Sequence, residues 1–225
     1  MTGTPVGGRV ATSDNPLRCA VLISGAGSGM QALVKAQQQD NLLHQTSVVI
    51  SNRSEAGGIQ LAHQLGVEVE LVLPPKSTEN TRVAHEQAIM EVLERHDIEF
   101  VVLSGYMRLL SPNFLSRWGG RIVNIHPSYL PHFPGAHAHR DVIASGAKLT
   151  GCTVHMVDEG MDTGAVLAQE TVPVLNGDDE ISLSNRVKVE EHRLYPQVLN
   201  WIAQGYVTMK SGRVHVDVPQ SPQND

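Results

Sequence analysis

The chain has 225 residues, 41% hydrophobic and 18% charged, with a formal net charge of -6. This is ordinary globular composition, long enough for one sizeable core, and the acidic balance without a long Lys/Arg run excludes an extended nucleic-acid surface. No apolar stretch approaches the length of a membrane span. The two cysteines, Cys19 and Cys152, fall in runs that read as strands, so buried thiols of a reducing compartment are expected rather than a disulfide framework. Met1 to about Pro16 is rich in Gly, Thr and Ser and lacks the apolar core of a secretory signal; it reads as a loose cytoplasmic tail.

Arg18 to Ser24 is an apolar run too short for a helix and predicts a buried strand. Gly25, Gly27 and Gly29 then make a tight turn into a helix with Ser28 as N-cap and Met30, Leu33 and Val34 as its apolar stripe. Thr46 to Ser51 and Val67 to Leu73 read as further strands on either side of a helix from Gly57 to Leu65 that stops at Gly66. A loop with Pro74, Pro75 and Asn80 leads into an amphipathic helix, about Thr81 to His96, with Val83, Ile89, Val92 and Leu93 as its apolar residues. Phe100 to Ser104 is the fourth strand, Ser111-Pro112 opens a short helix, and Ile122 to His126 is the fifth strand. After a proline loop, Asp141 to Ser145 is helical and ends at Gly146. Strand alternating with helix predicts a parallel sheet covered on both faces. The rhythm then changes: Thr150 to Val157 and Ala165 to Val172 are strands with only a loop between them, so the sheet becomes mixed. Ile181 to about Gly205 is a closing helix with Pro196 as its kink or break, and Val207 to Lys210 with Arg213 to Val216 makes a last hairpin around Ser211-Gly212.

Three stretches carry chemistry. Asn124 and His126 are two apart, so both side chains leave the fifth strand on one side, and Pro127, Pro131 and Pro134 stiffen the loop that follows. Two satisfied polar groups at a strand end is the plain alternative. The segment Ser24 to Met30 offers free backbone amides and a helix dipole to an anion. A dinucleotide fits it poorly, because the third glycine position of Gly-x-Gly-x-x-Gly falls on Met30 and Ser51-Asn52-Arg53 lacks the ribose-binding acid. No Lys follows the last glycine, so it is not a nucleoside-triphosphate loop either. A single phosphate on a small substrate fits best, and a ligand-free turn stays open.

The third stretch is the loop Val157 to Gly164, where Asp162 has glycines on both sides. Asp158 and Glu159 read as solvated surface acids. Asp162 is placed to pair with His126 if the loop folds back over the fifth strand. His126, His132, His137, His139 and Asp158 offer a rival metal site, but their spacing matches no helical metal signature, and the three later histidines read as loop hydrogen-bonding groups. Ser128 sits in no nucleophile elbow.

In order and spacing, "VLISGAGSGMQAL", "VVLSGYMRLLSP", "IVNIHPSYLPHFPGAHAHRD", "GCTVHMVDEGMDTGAVLAQ" and "RVKVEEHRLYP" resemble the folate-dependent phosphoribosylglycinamide formyltransferases, over roughly Arg18 to Lys210. The resemblance implies an α/β, Rossmann-like formyltransferase fold: a mostly parallel twisted sheet flanked by helices, with late antiparallel strands. It implies one formyltransferase domain over residues 17–218, between loose tails at 1–16 and 219–225. It makes Asn124, His126 and Asp162 the catalytic trio, and puts substrate phosphate and ribose on Gly27, Ser28, Gly29, Lys188 and Glu191. The folate is expected along Met107, Arg108, Leu109, Leu110 and Asn124 and along Asp158, Glu159, Gly160, Met161 and Asp162, with Arg82 near its far end.

The implied co-substrate is 10-formyltetrahydrofolate and the implied acceptor glycinamide ribonucleotide. Neither metal, nucleic acid nor membrane is expected, the setting is cytoplasmic, and a homodimer is compatible. Relatives often carry Asn where this chain has Ala26 and Gly29, a departure that bears on the phosphate contact. A formyltetrahydrofolate hydrolase has no use for a phosphate loop, and a methionyl-tRNA formyltransferase carries a further C-terminal domain that this chain is too short to hold. A non-catalytic nucleotide-binding module has no need of the trio, and a dinucleotide oxidoreductase is the most distant reading.

Overall fold

The computed structural model describes residues 3–76 and 81–219. Asn80 and the C-terminal tail after Pro219 lie outside the described residues. In chain order the elements are β1 (Thr4–Pro5), β2 (Leu17–Ile23), α1 (Ser28–Gln39), β3 (His44–Ser51), α2 (Gly57–Gln64), β4 (Glu68–Leu71), α3 (Thr81–Arg95) and β5 (Phe100–Leu103). Then come α4 (Pro112–Trp118), β6 (Ile122–His126), α5 (Ala138–Ser145), β7 (Leu149–Met156), β8 (Val166–Pro173), α6 (Glu180–Ala203), β9 (Val207–Lys210) and β10 (Arg213–Val216).

Seven strands form the main sheet in the order β4-β3-β2-β5-β6-β7-β8. The pairs from β4 to β6 are parallel, whereas β7 runs antiparallel to β6 and β8 antiparallel to β7, the parallel-then-mixed pattern expected from the change of rhythm. The apolar runs of β2 and β5 are continuous because both faces are covered. Cys19, Val21, Ile23, Phe100 and Val102 face the core made with α1 and α6, while Ala20, Leu22, Val101 and Leu103 face the core made with α3 and α4. Both cysteines are free and buried.

Strand order sets the place of the site. From β2 the chain moves outward to β3 and β4, then returns to lay β5 on the other side of β2 and continues to β6. The connections leaving β2 and β5 therefore diverge, and a crevice opens at the carboxyl ends of these strands.

Four details differ from expectation. The N-terminal segment is anchored from Thr4 onward: β1 pairs with β9, Val6 and Ala11 are buried, and Arg9 makes a two-pronged ion pair with Glu99 at 2.6 and 2.9 Å. Its Gly, Thr and Ser content hid two apolar residues and one arginine that have partners far along the chain. Pro196 does not break α6, which runs through it as one 24-residue helix. The N-cap of α1 is Gly27, in the left-handed region at φ 75°, with Ser28 as the first helical residue. In α3, Val83 is exposed and Glu86 is buried, because Glu86 accepts from the Ser111 amide at 2.8 Å and from the Ser111 hydroxyl, which joins α3 to the N-cap of α4.

Buried His44 ties the start of β3 to α6. Its Nε2 donates to the Pro196 carbonyl at 3.0 Å while Nδ1 accepts from the Gln37 amide at 2.8 Å, an arrangement that needs the neutral ring. Burial pushes its pKa down to about 4, against a smaller upward pull from the Pro196 carbonyl. The unfolded chain therefore holds more protons between pH 6.5 and 4, and stability falls as pH drops through that window. Denaturant midpoints measured across it should show a loss of about 3 kcal/mol from this site, and the His44→Gln protein, whatever its own stability, should lack that part of the slope.

Candidate active site

A cleft of about 560 Å³ opens at the carboxyl ends of β2, β5 and β6. Its first wall is the glycine turn. Gly27 must be glycine for two reasons: its φ is positive, and a Cβ there would lie 2.5 Å from the Cα of Gly58 at the start of α2. The first internal bond of α1 runs from the Gln31 amide to the Gly27 carbonyl at 2.8 Å, so the amides of Ser28, Gly29 and Met30 precede the helix ladder. No acidic side chain sits in the first turn of α1 to compete with an anion.

The second wall follows β5. Ser24, at the end of β2, accepts from the Met107 amide at 2.9 Å and so holds the segment Gly105 to Leu110 against the cleft. Met107 and Leu109 are mostly exposed, and Met161 across the cleft is too. Open apolar surface of this kind suits a flat ring system.

The floor is built by β6 and its antiparallel neighbour. Asn124 and His126 lie on one side of β6, as their spacing predicts. His126 is buried; its Nε2 donates to the Phe133 carbonyl at 2.9 Å, and its Nδ1 faces Asp162 Oδ2 at 3.3 Å. The Phe133 carbonyl is itself turned inward by a left-handed backbone, φ 56°, and also accepts from the buried Ser128 hydroxyl at 3.1 Å. Ser128 is thus part of the loop's framework. Protonated on both nitrogens, the His126 ring would satisfy both oxygens at once.

Asp162 does fold back over β6. Its backbone is left-handed, φ 56°, and Oδ2 also accepts from the Gly135 amide at 2.8 Å, so the acidic loop is joined to the proline loop at this carboxylate. Asp158 is an exposed loop-ordering group that accepts from the Gly160 amide at 3.0 Å and the Thr163 hydroxyl at 2.7 Å.

His155 escaped the sequence reading. It stands directly opposite Asn124 in the β6–β7 ladder, buried, with Nδ1 donating to the Met156 carbonyl at 2.8 Å. Burial lowers its pKa more than Asp162 and the carbonyl raise it, so Nε2 carries a lone pair and accepts from Asn124 Nδ2 at 3.3 Å. That contact fixes which way the Asn124 amide points and leaves its second N–H free. The missing signal was register: only the pairing of Asn124 with His155 reveals the contact.

Lys188, Glu191 and Tyr195 of α6 complete the lining. His139, expected in a loop, lies on α5 and lines the cleft with a buried, unpartnered Nδ1, whereas His132 and His137 are exposed. Arg82 does not line the cleft; it is half-exposed on α3, with Nε 3.4 Å from Glu86. Among the described residues the loop histidines form no metal cluster. The three side chains that do gather, Glu68, Glu70 and His96, lie outside the cleft, with Arg95 already on Glu70 at 2.6 Å.

With this geometry in hand, the formyl transferase family model matches residues 17–199. The chain belongs to the formyl transferase family. It is 36% identical over 206 residues to phosphoribosylglycinamide formyltransferase of Escherichia coli, covering 92% of this chain and 96% of that one. It is 43% identical over 198 residues to the bovine trifunctional purine biosynthetic protein adenosine-3, of which it spans only 19%. Among solved structures, glycinamide ribonucleotide transformylase 1 from Symbiobacterium toebii superposes with a TM-score of 0.85 at 38% identity, over 89% of this chain and 94% of that one. No helix among the described residues is long and apolar enough to cross a membrane.

Glu191 supplies a pH test. Burial pushes its pKa up to about 7, against the opposing pull of Lys188. The folded chain therefore holds more protons than the unfolded one between pH 4.5 and 7, and the cost of the ionised carboxylate is complete above 7 and gone below 4.5. Glu191→Gln should raise stability at pH 8 by about 1–2 kcal/mol, discounted for partial exposure to cleft water, and thermal melts at pH 4.5 should show no such advantage.

Proposed function

We propose that this chain transfers a formyl group from 10-formyltetrahydrofolate to the glycinamide amine of glycinamide ribonucleotide, the acceptor that its relatives' names describe. The observation that carries this reading is the convergence of Asn124, His126 and Asp162 on the floor of a cleft with the free amides of α1 in its wall. The nucleotide phosphate takes Gly27, Ser28 and Gly29, its ribose takes Glu191, and Lys188 adds a positive charge. The folate takes the apolar wall from Met107 to Leu110 and the loop from Asp158 to Asp162. Arg82 lies outside the cleft lining, so a role at the folate's far end belongs to a longer ligand tail.

The amine nitrogen attacks the formyl carbon, and the carbonyl electron pair moves to oxygen. The resulting tetrahedral intermediate carries a negative oxygen, and fixed donors aimed at it lower the barrier. The free N–H of Asn124 is one donor. The other is His126 Nδ1–H, since Nε2 is held by Phe133; Asp162, which faces that nitrogen at 3.3 Å, releases it on taking up the amine proton. Asp162 accepts a proton from the attacking nitrogen and, through water, returns it to the folate nitrogen as the carbon–nitrogen bond breaks. The protein groups in this sequence are all side chains of the cleft, and folate and nucleotide substrates suit an intracellular, cytoplasmic setting.

The direct test is formylated nucleotide production from both substrates at saturation; none appearing would sink the assignment. Asp162→Asn should lower kcat by about a hundredfold to a thousandfold while calorimetric binding of the ribonucleotide changes less than about threefold. Equal loss of both would make Asp162 a loop anchor only.

A further inference from the structure

Two serines end the adjacent strands of the crevice, and they differ in employment. Ser24, after β2, uses its hydroxyl to hold the Met107 amide. Ser104, after β5, is only 7% exposed, donates its backbone amide to the Leu22 carbonyl at 3.0 Å, and has no hydroxyl partner among the described residues. Its hydroxyl is open to the cleft rather than sealed in the core, and a cleft-facing hydroxyl with no protein partner is available to a ligand. Its position is specific. A Cβ built on Gly29 would lie 2.7 Å from Ser104 Oγ, with nothing else within 4 Å. The hydroxyl therefore stands beside the second residue of α1, next to the unladdered amides of Ser28, Gly29 and Met30.

We propose that Ser104 is a phosphate-binding residue of this chain, its hydroxyl standing in the space that a side chain at position 29 would take. A Cβ at position 29 would crowd the Ser104 hydroxyl where it stands, and the glycine leaves the hydroxyl that place. The donor reaches the helix terminus from the neighbouring strand instead of from the helix itself. A hydroxyl can turn its hydrogen toward a phosphate oxygen, and a bond to a charged acceptor is stronger than a neutral one. The assignment rests on the nucleotide reading given above and names a residue that discriminates the phosphorylated acceptor from its nucleoside.

The test is calorimetric binding of glycinamide ribonucleotide, and of the glycinamide riboside that lacks the phosphate, to four proteins: the parent, Ser104→Ala, Gly29→Asn, and the two combined. Ser104→Ala should weaken ribonucleotide binding by about tenfold or more, leave riboside binding unchanged, and leave the KM for the formyl donor within twofold. Gly29→Asn alone should also weaken the ribonucleotide, because its Cβ meets the hydroxyl. Adding Ser104→Ala to it should recover most of the loss, a sign reversal that a merely structural serine would not produce. Unchanged ribonucleotide affinity in a folded Ser104→Ala protein, or equal loss for both ligands, would overturn the assignment. If the parent binds no ribonucleotide at all, the nucleotide reading itself is what fails.

Discussion

The site depends on one constraint of chain topology: two parallel strands, β2 and β5, lie side by side and send their connections in opposite directions. Parallel pairing with right-handed crossovers puts all the carboxyl ends on one edge, and the reversal keeps any connection from closing over them. Everything the chemistry needs is then hung on that edge. The glycine turn leaves β2, the apolar wall from Met107 to Leu110 leaves β5, and the Asn124 and His126 pair ends β6. β7 runs antiparallel and ends beside the amino end of β6, so the acidic loop that follows it reaches the carboxyl edge only by folding back over β6, where the Gly135 amide holds Asp162.

Within that frame, the groups proposed for catalysis are oriented by backbone more than by one another. The Phe133 carbonyl holds His126, the Gly135 amide holds Asp162, and the Met156 carbonyl sets the tautomer of His155, which in turn sets Asn124. Backbone groups cannot change protonation state, so the tautomers and the ring orientation persist when the ligand's own charges arrive. Two of the residues involved, Phe133 and Asp162, lie in the left-handed region, where side chains carry a steric cost. The cost is local and falls where orientation matters most.

Much of this was legible in the sequence wherever the signal was local. The run Arg18 to Ser24, the Gly25 to Gly29 turn and the alternation of strand and helix each follow from periodicity over a few residues, and the spacing of Asn124 and His126 forced them to one side of a strand. What escaped was long-range. His155 is named by strand register, Ser104 by the approach of β5 to α1, and the anchoring of Arg9 by Glu99, 90 residues away. Pro196 misled because local geometry disfavours proline within a helix, yet its carbonyl and its neighbours are held by His44 and by packing against β3.

Tyr195 gives the closing helix a role beyond covering the sheet. Its hydroxyl lies 2.9 Å from the Leu103 carbonyl at the end of β5 and 3.2 Å from the Val123 carbonyl within β6, so α6 is indexed against the two strands that lead into the cleft. Lys188 and Glu191 sit seven and four residues earlier on one helical face. The tyrosine thus works as a gauge: the distance from the strands to the proposed ribose and phosphate contacts is counted in helical turns from one fixed hydroxyl. A single residue inserted between Glu191 and Tyr195 would swing the acid and the lysine about 100° away while leaving the sheet, the trio and the glycine turn where they are.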